Sequence, residues 1–252
     1  SRFAMTDRDR FIDAKLAEHH DQPPYFRHME TGNLAGAGPV RTPLGPAPLT
    51  AAAFKDLRES VQLVDVRSAA AFMGAHLPDS IALPTDLISA FAGWLLEPDD
   101  DIALIADNAG EAELAARHLA RIGIDTIRGY LAPSLVAWAA TGEAFATLPV
   151  ADAATVRERL EQQTDWTLLD VRGEPEVEQA RISGARHLFI GELPRELESL
   201  DRSRSHTVMC GSGARATIAA SVLMRAGFTD VDLFLGSMGA WRQIGFDVES
   251  AG

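Results

Sequence analysis

One cysteine, Cys210, stands in a chain of 252 residues. A single thiol excludes an internal disulfide, a zinc site built from several cysteines, and any mechanism that needs a resolving cysteine in the same chain. Positive charge is also scarce, with 23 Lys and Arg against 36 Asp and Glu and a formal net charge of −13. That balance argues against a nucleic-acid partner, which calls for a basic face. It also means that an anionic substrate must be captured by a local field, because the chain as a whole repels it. Long apolar runs are absent: nothing approaches the roughly 18–20 residues of a membrane span. The opening SRFAMTDRDR lacks the apolar centre of a secretory signal. The expectation is a cytoplasmic chain with no membrane partner. The seven histidines show no zinc-type clustering, so neither a metal nor another cofactor is expected.

What is present is an internal repeat. Leu63-Val64-Asp65-Val66-Arg67 opens one copy and Leu168-Leu169-Asp170-Val171-Arg172 the other. Short apolar runs ending in a charged pair suit buried parallel strands that feed a loop. Eleven residues past each Asp stand His76 and Arg181, each leading into a second apolar stretch, 80–84 and 186–190. Residues 101–106 match 206–210 as a further strand, and helix-period segments follow at 111–122 and 214–226. In the second helix Ile218, Ala219, Val222, Leu223 and Ala226 fall on one stripe, with Gly227 as its stop, as Gly123 is in the first. Trp138 and Gly142 close one copy, Trp241 and Gly245 the other.

Strands alternating with helices predict an α/β fold: two tandem domains, each a mostly parallel sheet flanked by helices. The expected divisions are an extension over 1–48, a first domain over 49–146 and a second over 147–252, joined by a linker within 142–152. In the extension, residues 7–20 suit a polar helix broken by the prolines of 22–26. The stretch 31–48 is rich in Gly, Pro and Ala and is expected to be a connector without a core.

Chemistry concentrates in Cys210-Gly211-Ser212-Gly213-Ala214-Arg215, between a strand and a helix. Two glycines let the backbone curl so that N–H groups turn inward as an anion cradle. The following helix aims its positive end at the same place, and Arg215 adds a fixed charge. Together these favour the nucleophilic thiolate. The four residues from Gly211 to Ala214 would hold substrate. Arg242, beside Trp241, is a further candidate for an anionic donor. Asp170 and Arg172 recur as Asp65 and Arg67 in the other copy, which favours a shared structural role.

The loop resembles the CxxGxR active-site loop of rhodaneses. The Asp-Val-Arg strand end, the Ile182-Ser183-Gly184-Ala185 turn and the segment 236–241 resemble that family's flanking motifs. The resemblance covers about residues 50–250 and implies a tandem rhodanese with sulfur transfer through a Cys210 persulfide. Its partners would be a small anionic sulfur donor and a low-molecular-weight thiol acceptor. The first copy departs from the pattern, with Ala106 in place of the cysteine and Glu111 in place of the arginine, which implies a catalytically dead scaffold. Related phosphatases of this fold use a longer loop, so six residues favour sulfur over phosphate. Apart from an enzyme, a sulfur-carrier or regulatory module and, third, a cysteine-dependent phosphatase stay open. Arg10-Phe11-Ile12-Asp13 followed by Pro23-Pro24-Tyr25-Phe26 resembles the final segment of metallo-β-lactamase-fold proteins fused to rhodanese domains. That resemblance implies such a domain upstream.

Overall fold

The computed structural model describes residues 7–16, 22–36, 45–162 and 164–250. Two helices, α1 (Arg8–Leu16) and α2 (Tyr25–Ala35), precede the repeat. The first copy then runs β1 (Pro48–Leu49), α3 (Ala51–Leu57), β2 (Gln62–Asp65), α4 (Ala69–Gly74), β3 (Ile81–Ala82), α5 (Ile88–Leu95), β4 (Ile102–Ile105), α6 (Ala109–Ala120), β5 (Ile127–Leu131) and α7 (Leu135–Ala139). The second runs β6 (Val150–Ala151), α8 (Ala153–Gln162), β7 (Trp166–Asp170), α9 (Glu174–Gln179), β8 (Arg186–His187), β9 (Ser205–Met209), α10 (Ala214–Arg225), β10 (Val231–Phe234) and α11 (Ser237–Ile244). Each copy forms a five-stranded, wholly parallel sheet, ordered β1-β5-β4-β2-β3 and β6-β10-β9-β7-β8. This is the expected pair of α/β domains.

The repeated residues have repeated tasks. Trp138 and Trp241 each lie buried and donate Nε1–H to a carbonyl six residues on, Ala144 O at 3.0 Å and Asp247 O at 2.8 Å. His76 pairs its backbone with Ala146, and Arg181 pairs with Glu249, as antiparallel bridges that fasten the end of each copy. The His/Arg exchange at that position is tolerated because the main chain does the fastening.

The two-residue strands differ from expectation. Residues 150–151, expected within a linker, are the edge strand β6, and Pro48, expected in the extension, begins β1. Leu148 N–H donates to Met73 O at 3.0 Å, while Pro149 O accepts from Leu233 N–H at 2.9 Å. Leu148 is thus bonded to the first half of the chain and Pro149 to the second. Helix α2 continues to Ala35, into the stretch expected to be a connector, and 37–44 lie outside the described residues. Its first residue, Tyr25, lays its ring where a Cβ on Gly93 would stand, and His28 covers Gly123, so the extension leans on the first domain. The expected helix over 7–20 is described as α1 to Leu16, and its remainder lies outside the described residues.

Helix α10 is the junction of the two halves. In α6 the buried residues Ala112, Ala115, Ala116 and Leu119 form the single stripe of a surface helix. In α10 every residue from Ala216 to Leu223 is buried, so the expected one-sided stripe is covered on all sides. One face meets its own sheet, and the other packs on β3 and α4 of the first domain. Ser221 Oγ accepts from Ala82 N–H across that junction at 2.9 Å. One apolar core, including Val64 and Leu104 of the first half and Val208 and Ile218 of the second, runs through both domains. Trp94 and Phe189 meet edge to face at 5.4 Å across the same seam.

Candidate active site

Cys210 follows β9 directly, at the carboxyl end of a parallel sheet, where open α/β folds place their ligands. Its thiol lies at the base of the loop, and the residue is 1% exposed. Gly213 N–H points at Sγ from 3.1 Å. Gly213 holds φ at +119° as the residue before α10, a backbone conformation that L side chains rarely adopt. The amide is therefore turned back onto the sulfur rather than along the helix.

The loop is gripped from behind by the start of α11. Met238 N–H donates to Cys210 O at 3.1 Å and Gly239 N–H to Gly211 O at 2.9 Å. Ser237 Oγ accepts from Cys210 N–H at 3.1 Å and donates to Phe234 O at 2.9 Å. A Cβ on Gly239 would approach Gly211 O to 3.3 Å, so the glycine permits close packing there. With the Cys210 and Gly211 carbonyls held by α11, the Gly213 amide is left to face the sulfur. The 236–241 motif thus shapes the cradle, a role its sequence alone does not announce.

Arg215, the second residue of α10, folds back so that Nη2 would stand 3.2 Å from a Cβ on Gly211. Its Nη1 and Nη2 donate to Glu176 Oε2 and Oε1 at 2.5 and 2.8 Å, a bidentate pair. The bond to Glu176 raises the proton affinity of Arg215, and the nearby Cys210 adds to it. Glu176 is held below its ordinary value, first by its bond from Arg215. Sequence reasoning missed Glu176, which lies 39 residues from its partner. The only available signal was its place next to the Asp-Val-Arg end of β7. Ser212 is exposed at the rim, and Ala214 begins α10. Arg242 does not join them: it is exposed in the last turn of α11, whereas the first turn of that helix makes the loop contacts.

Asp170 and Arg172 are scaffold. Arg172 Nε and Nη2 donate to Asp170 Oδ1 and Oδ2 at 2.9 and 2.5 Å, and Nη2 also reaches Ala180 O at 2.9 Å. Arg67 repeats this with Asp65, at 2.9 and 2.6 Å, and with Ala75 O at 2.7 Å. The same buried clamp ties the strand end to the following turn in both halves, with or without a cysteine nearby. His187 bonds Arg172 O at 2.8 Å, and His206 bonds Arg204 O at 2.8 Å. Both rings are committed to main-chain carbonyls.

The corresponding loop of the first half does something else. Ala106 is buried and carries no nucleophile. Asn108 Oδ1 accepts from Glu111 N–H at 3.0 Å, while Glu111 Oε2 accepts from Asp107 N–H at 2.7 Å. These reciprocal bonds cap α6 and close the loop on itself. Burial, then the charges of Asp107 and Asp65, push the Glu111 carboxyl upward. This loop presents a carboxylate where the other presents a guanidinium. Among the described residues no cluster of three or more His, Cys, Asp or Glu could hold a metal ion. No described helix is long and apolar enough to cross a membrane.

Both halves of the chain resemble known proteins. The rhodanese-like domain family matches the chain twice, over residues 50–141 and 152–244. A Bacillus subtilis protein named "Putative sulfurtransferase YtwF" is 33% identical over 89 residues, 35% of this chain and 85% of its own length. A protein of Allochromatium vinosum named "Sulfurtransferase" is 29% identical over 97 residues, 38% of this chain and 91% of its own. Among solved structures, the Alr3790 protein of Anabaena is 31% identical, covers 40% of this chain and 80% of its own, and gives a TM-score of 0.38. The thiosulfate sulfurtransferase of Pseudomonas aeruginosa is 21% identical, covers 82% of this chain and 44% of its own, and also gives 0.38. On the two family matches, which together take in most of its length, this chain belongs to the rhodanese-like family as a tandem of two such domains.

Proposed function

We propose that the chain is a sulfurtransferase that moves sulfane sulfur from thiosulfate or a persulfide to a thiol or cyanide through a Cys210 persulfide. The observation that carries this reading is the Gly213 N–H aimed at Cys210 Sγ from 3.1 Å, with Arg215 folded over the same loop. Fixed donors around a sulfur stabilise an anion there, both the resting thiolate and the persulfide that follows it. In the first half-reaction the thiolate attacks the donor's outer sulfur. An S–S bond forms at Sγ, the donor's own S–S bond breaks, and its electron pair leaves with sulfite or a thiolate. In the second, a thiolate or cyanide attacks the outer sulfur of the persulfide and Cys210 returns as thiolate. The first domain, lacking a nucleophile at Ala106, serves as the bed on which α10 is docked.

A second reading is a sulfur-carrier or regulatory module that loads once and turns over slowly, favoured by the recessed position of Cys210 at 1% exposure. The resemblance of 10–13 and 23–26 fits a low-molecular-weight persulfide supplied by an upstream metallo-β-lactamase-fold domain. Cyanide-dependent thiocyanate formation from thiosulfate, 3-mercaptopyruvate and glutathione persulfide tests the enzyme reading. We expect many turnovers per chain with at least one donor and none for Cys210→Ser. Release of no more than one thiocyanate per chain with every donor would replace the enzyme by the carrier. Hydrolysis of an aryl phosphate, lost in Cys210→Ser, would replace both by a phosphatase.

A further inference from the structure

An anion-binding loop in a chain of net charge −13 should keep its cations for the substrate. This one does not. Arg215 gives both arms of its guanidinium to Glu176 in a bidentate pair, and Arg172, the other arginine at this end of the sheet, is bound to Asp170. Arg242 is exposed in the last turn of α11, outside the loop itself. The only two lysines of the chain, Lys15 and Lys55, belong to α1 and α3, outside the second domain. The local charge next to Cys210 therefore sums to about zero before any donor arrives, and the attraction left is that of the loop amides and the start of α10.

Glu176 Oε2 also accepts from Gly173 N–H at 3.3 Å, the reach-back bond of a capping box at the start of α9. The equivalent helix of the first half, α4, begins with Ser68 Oγ accepting from Ala71 N–H at 3.2 Å. Ala71 holds the place of Glu176, at the same 105-residue offset that relates Asp65 to Asp170. The partner position changes as well, from Arg215 to Glu111. The half with a cysteine has both members of the ion pair, and the half without one has neither. Besides capping α9, the carboxylate thus accompanies the cysteine through its pairing with Arg215.

Resting on the sulfur-transfer reading above, we propose that Glu176 is a specificity-determining residue that sets the charge of donor the Cys210 site accepts. By offsetting Arg215 while holding it over the loop, it favours donors with one negative charge at most on the group that carries the transferred sulfur, such as alkyl persulfides and thiosulfonates. The dianion thiosulfate is disfavoured. The chemistry is the same for both classes. With a thiosulfonate, Cys210–S⁻ and ⁻S–SO₂R give Cys210–S–S⁻ and RSO₂⁻; with thiosulfate the products are Cys210–S–S⁻ and SO₃²⁻. One S–S bond forms and one breaks in each, the electron pair leaves with the sulfinate or sulfite, and only the charge of the incoming group differs.

The test compares the second-order rate of Cys210 persulfide formation with thiosulfate and with methanethiosulfonate, in the intact chain and in Glu176→Gln. Gln keeps a carbonyl oxygen to accept from Arg215 but removes the charge. The thiosulfate-to-methanethiosulfonate ratio should rise about fivefold, the scale of one added charge acting over roughly 7 Å in a partly solvated site. Glu176→Asp should return the ratio to that of the parent. A ratio that stays within twofold of the parent in Glu176→Gln, whether both rates fall or both rise, overturns the proposal. If far-UV circular dichroism shows Glu176→Gln to be misfolded, Glu176→Ala carries the same comparison. A parent chain that accepts sulfur from neither donor would defeat the sulfur-transfer reading itself. Loading with an unchanged ratio would defeat only the role of Glu176.

Discussion

Truncating Asp170 to alanine separates a structural clamp from a catalytic group. Asp170 and Arg172 are 1% and 3% exposed, and the guanidinium spends two of its donors on the carboxylate at 2.9 and 2.5 Å. The Arg172 amide adds a third bond to the same carboxylate, at 3.2 Å. Removing the carboxylate leaves a buried cation supported only by the carbonyls of Ala180 and Glu176, at 2.9 and 3.3 Å. Breaking a buried pair from one side costs about 3–5 kcal/mol. A domain of this size has about 5–15 kcal/mol in all, so the loss is a large share of its stability. Asp65→Ala should cost the first domain a similar amount, because Arg67 repeats the geometry. The double change Asp170→Leu with Arg172→Met should cost less than Asp170→Ala alone, since it leaves no uncompensated charge. Urea unfolding followed by tryptophan fluorescence measures all three. A loss below about 1 kcal/mol for Asp170→Ala would refute the clamp. So would a stable Asp170→Ala chain that no longer accepts sulfur while Asp65→Ala behaves as the parent, because the motif would then serve catalysis.

Two further outcomes follow from the packing. Burial holds the His76 and His206 rings below the ordinary imidazole value, partly offset by their bonds to Phe72 O and Arg204 O. The unfolded chain therefore binds protons before the folded one does, and stability should be complete above about pH 6.5 and decline as pH falls below it. The double variant His76→Gln, His206→Gln should flatten that slope in urea titrations between pH 7 and 5.5, and an unchanged slope would contradict the assignment. Ser221→Ala removes the acceptor of the buried Ala82 N–H at the junction of the halves and should cost about 1–3 kcal/mol. A variant as stable as the parent would show that α10 is held to the first domain by packing alone.

Much of this molecule is visible in its sequence because duplication displays the same physics twice. The Asp-Val-Arg strand ends, the paired tryptophans and the helices after β4 and β9 were legible because each has a strong local pattern. Comparing Ala106 and Glu111 with Cys210 and Arg215 also marks which half can carry chemistry. Short or long-range features were not legible. Pro48–Leu49 and Val150–Ala151 pair for two residues each, too few for any period to register. The helix over Tyr25–Ala35 was hidden by the composition around it, since its order draws on tertiary contacts such as Tyr25 against Gly93. The pairing of Glu176 with Arg215 depends on how α9 is laid beside α10, which no spacing along the chain encodes. Arg242 stands apart from the loop for a different reason. Adjacency to Trp241 in sequence puts it on a different face of α11 from its buried neighbour.

The most direct test of the central claim is the intact mass of the chain after treatment with a sulfane-sulfur donor and removal of the excess. The account predicts a gain of one sulfur atom, ~32 Da, as a covalent intermediate on Cys210. The gain should be reversed by a low-molecular-weight thiol and absent in Cys210→Ser. A chain that gains no sulfur from thiosulfate, a thiosulfonate or a persulfide would contradict it, as would a gain that survives the Cys210→Ser change.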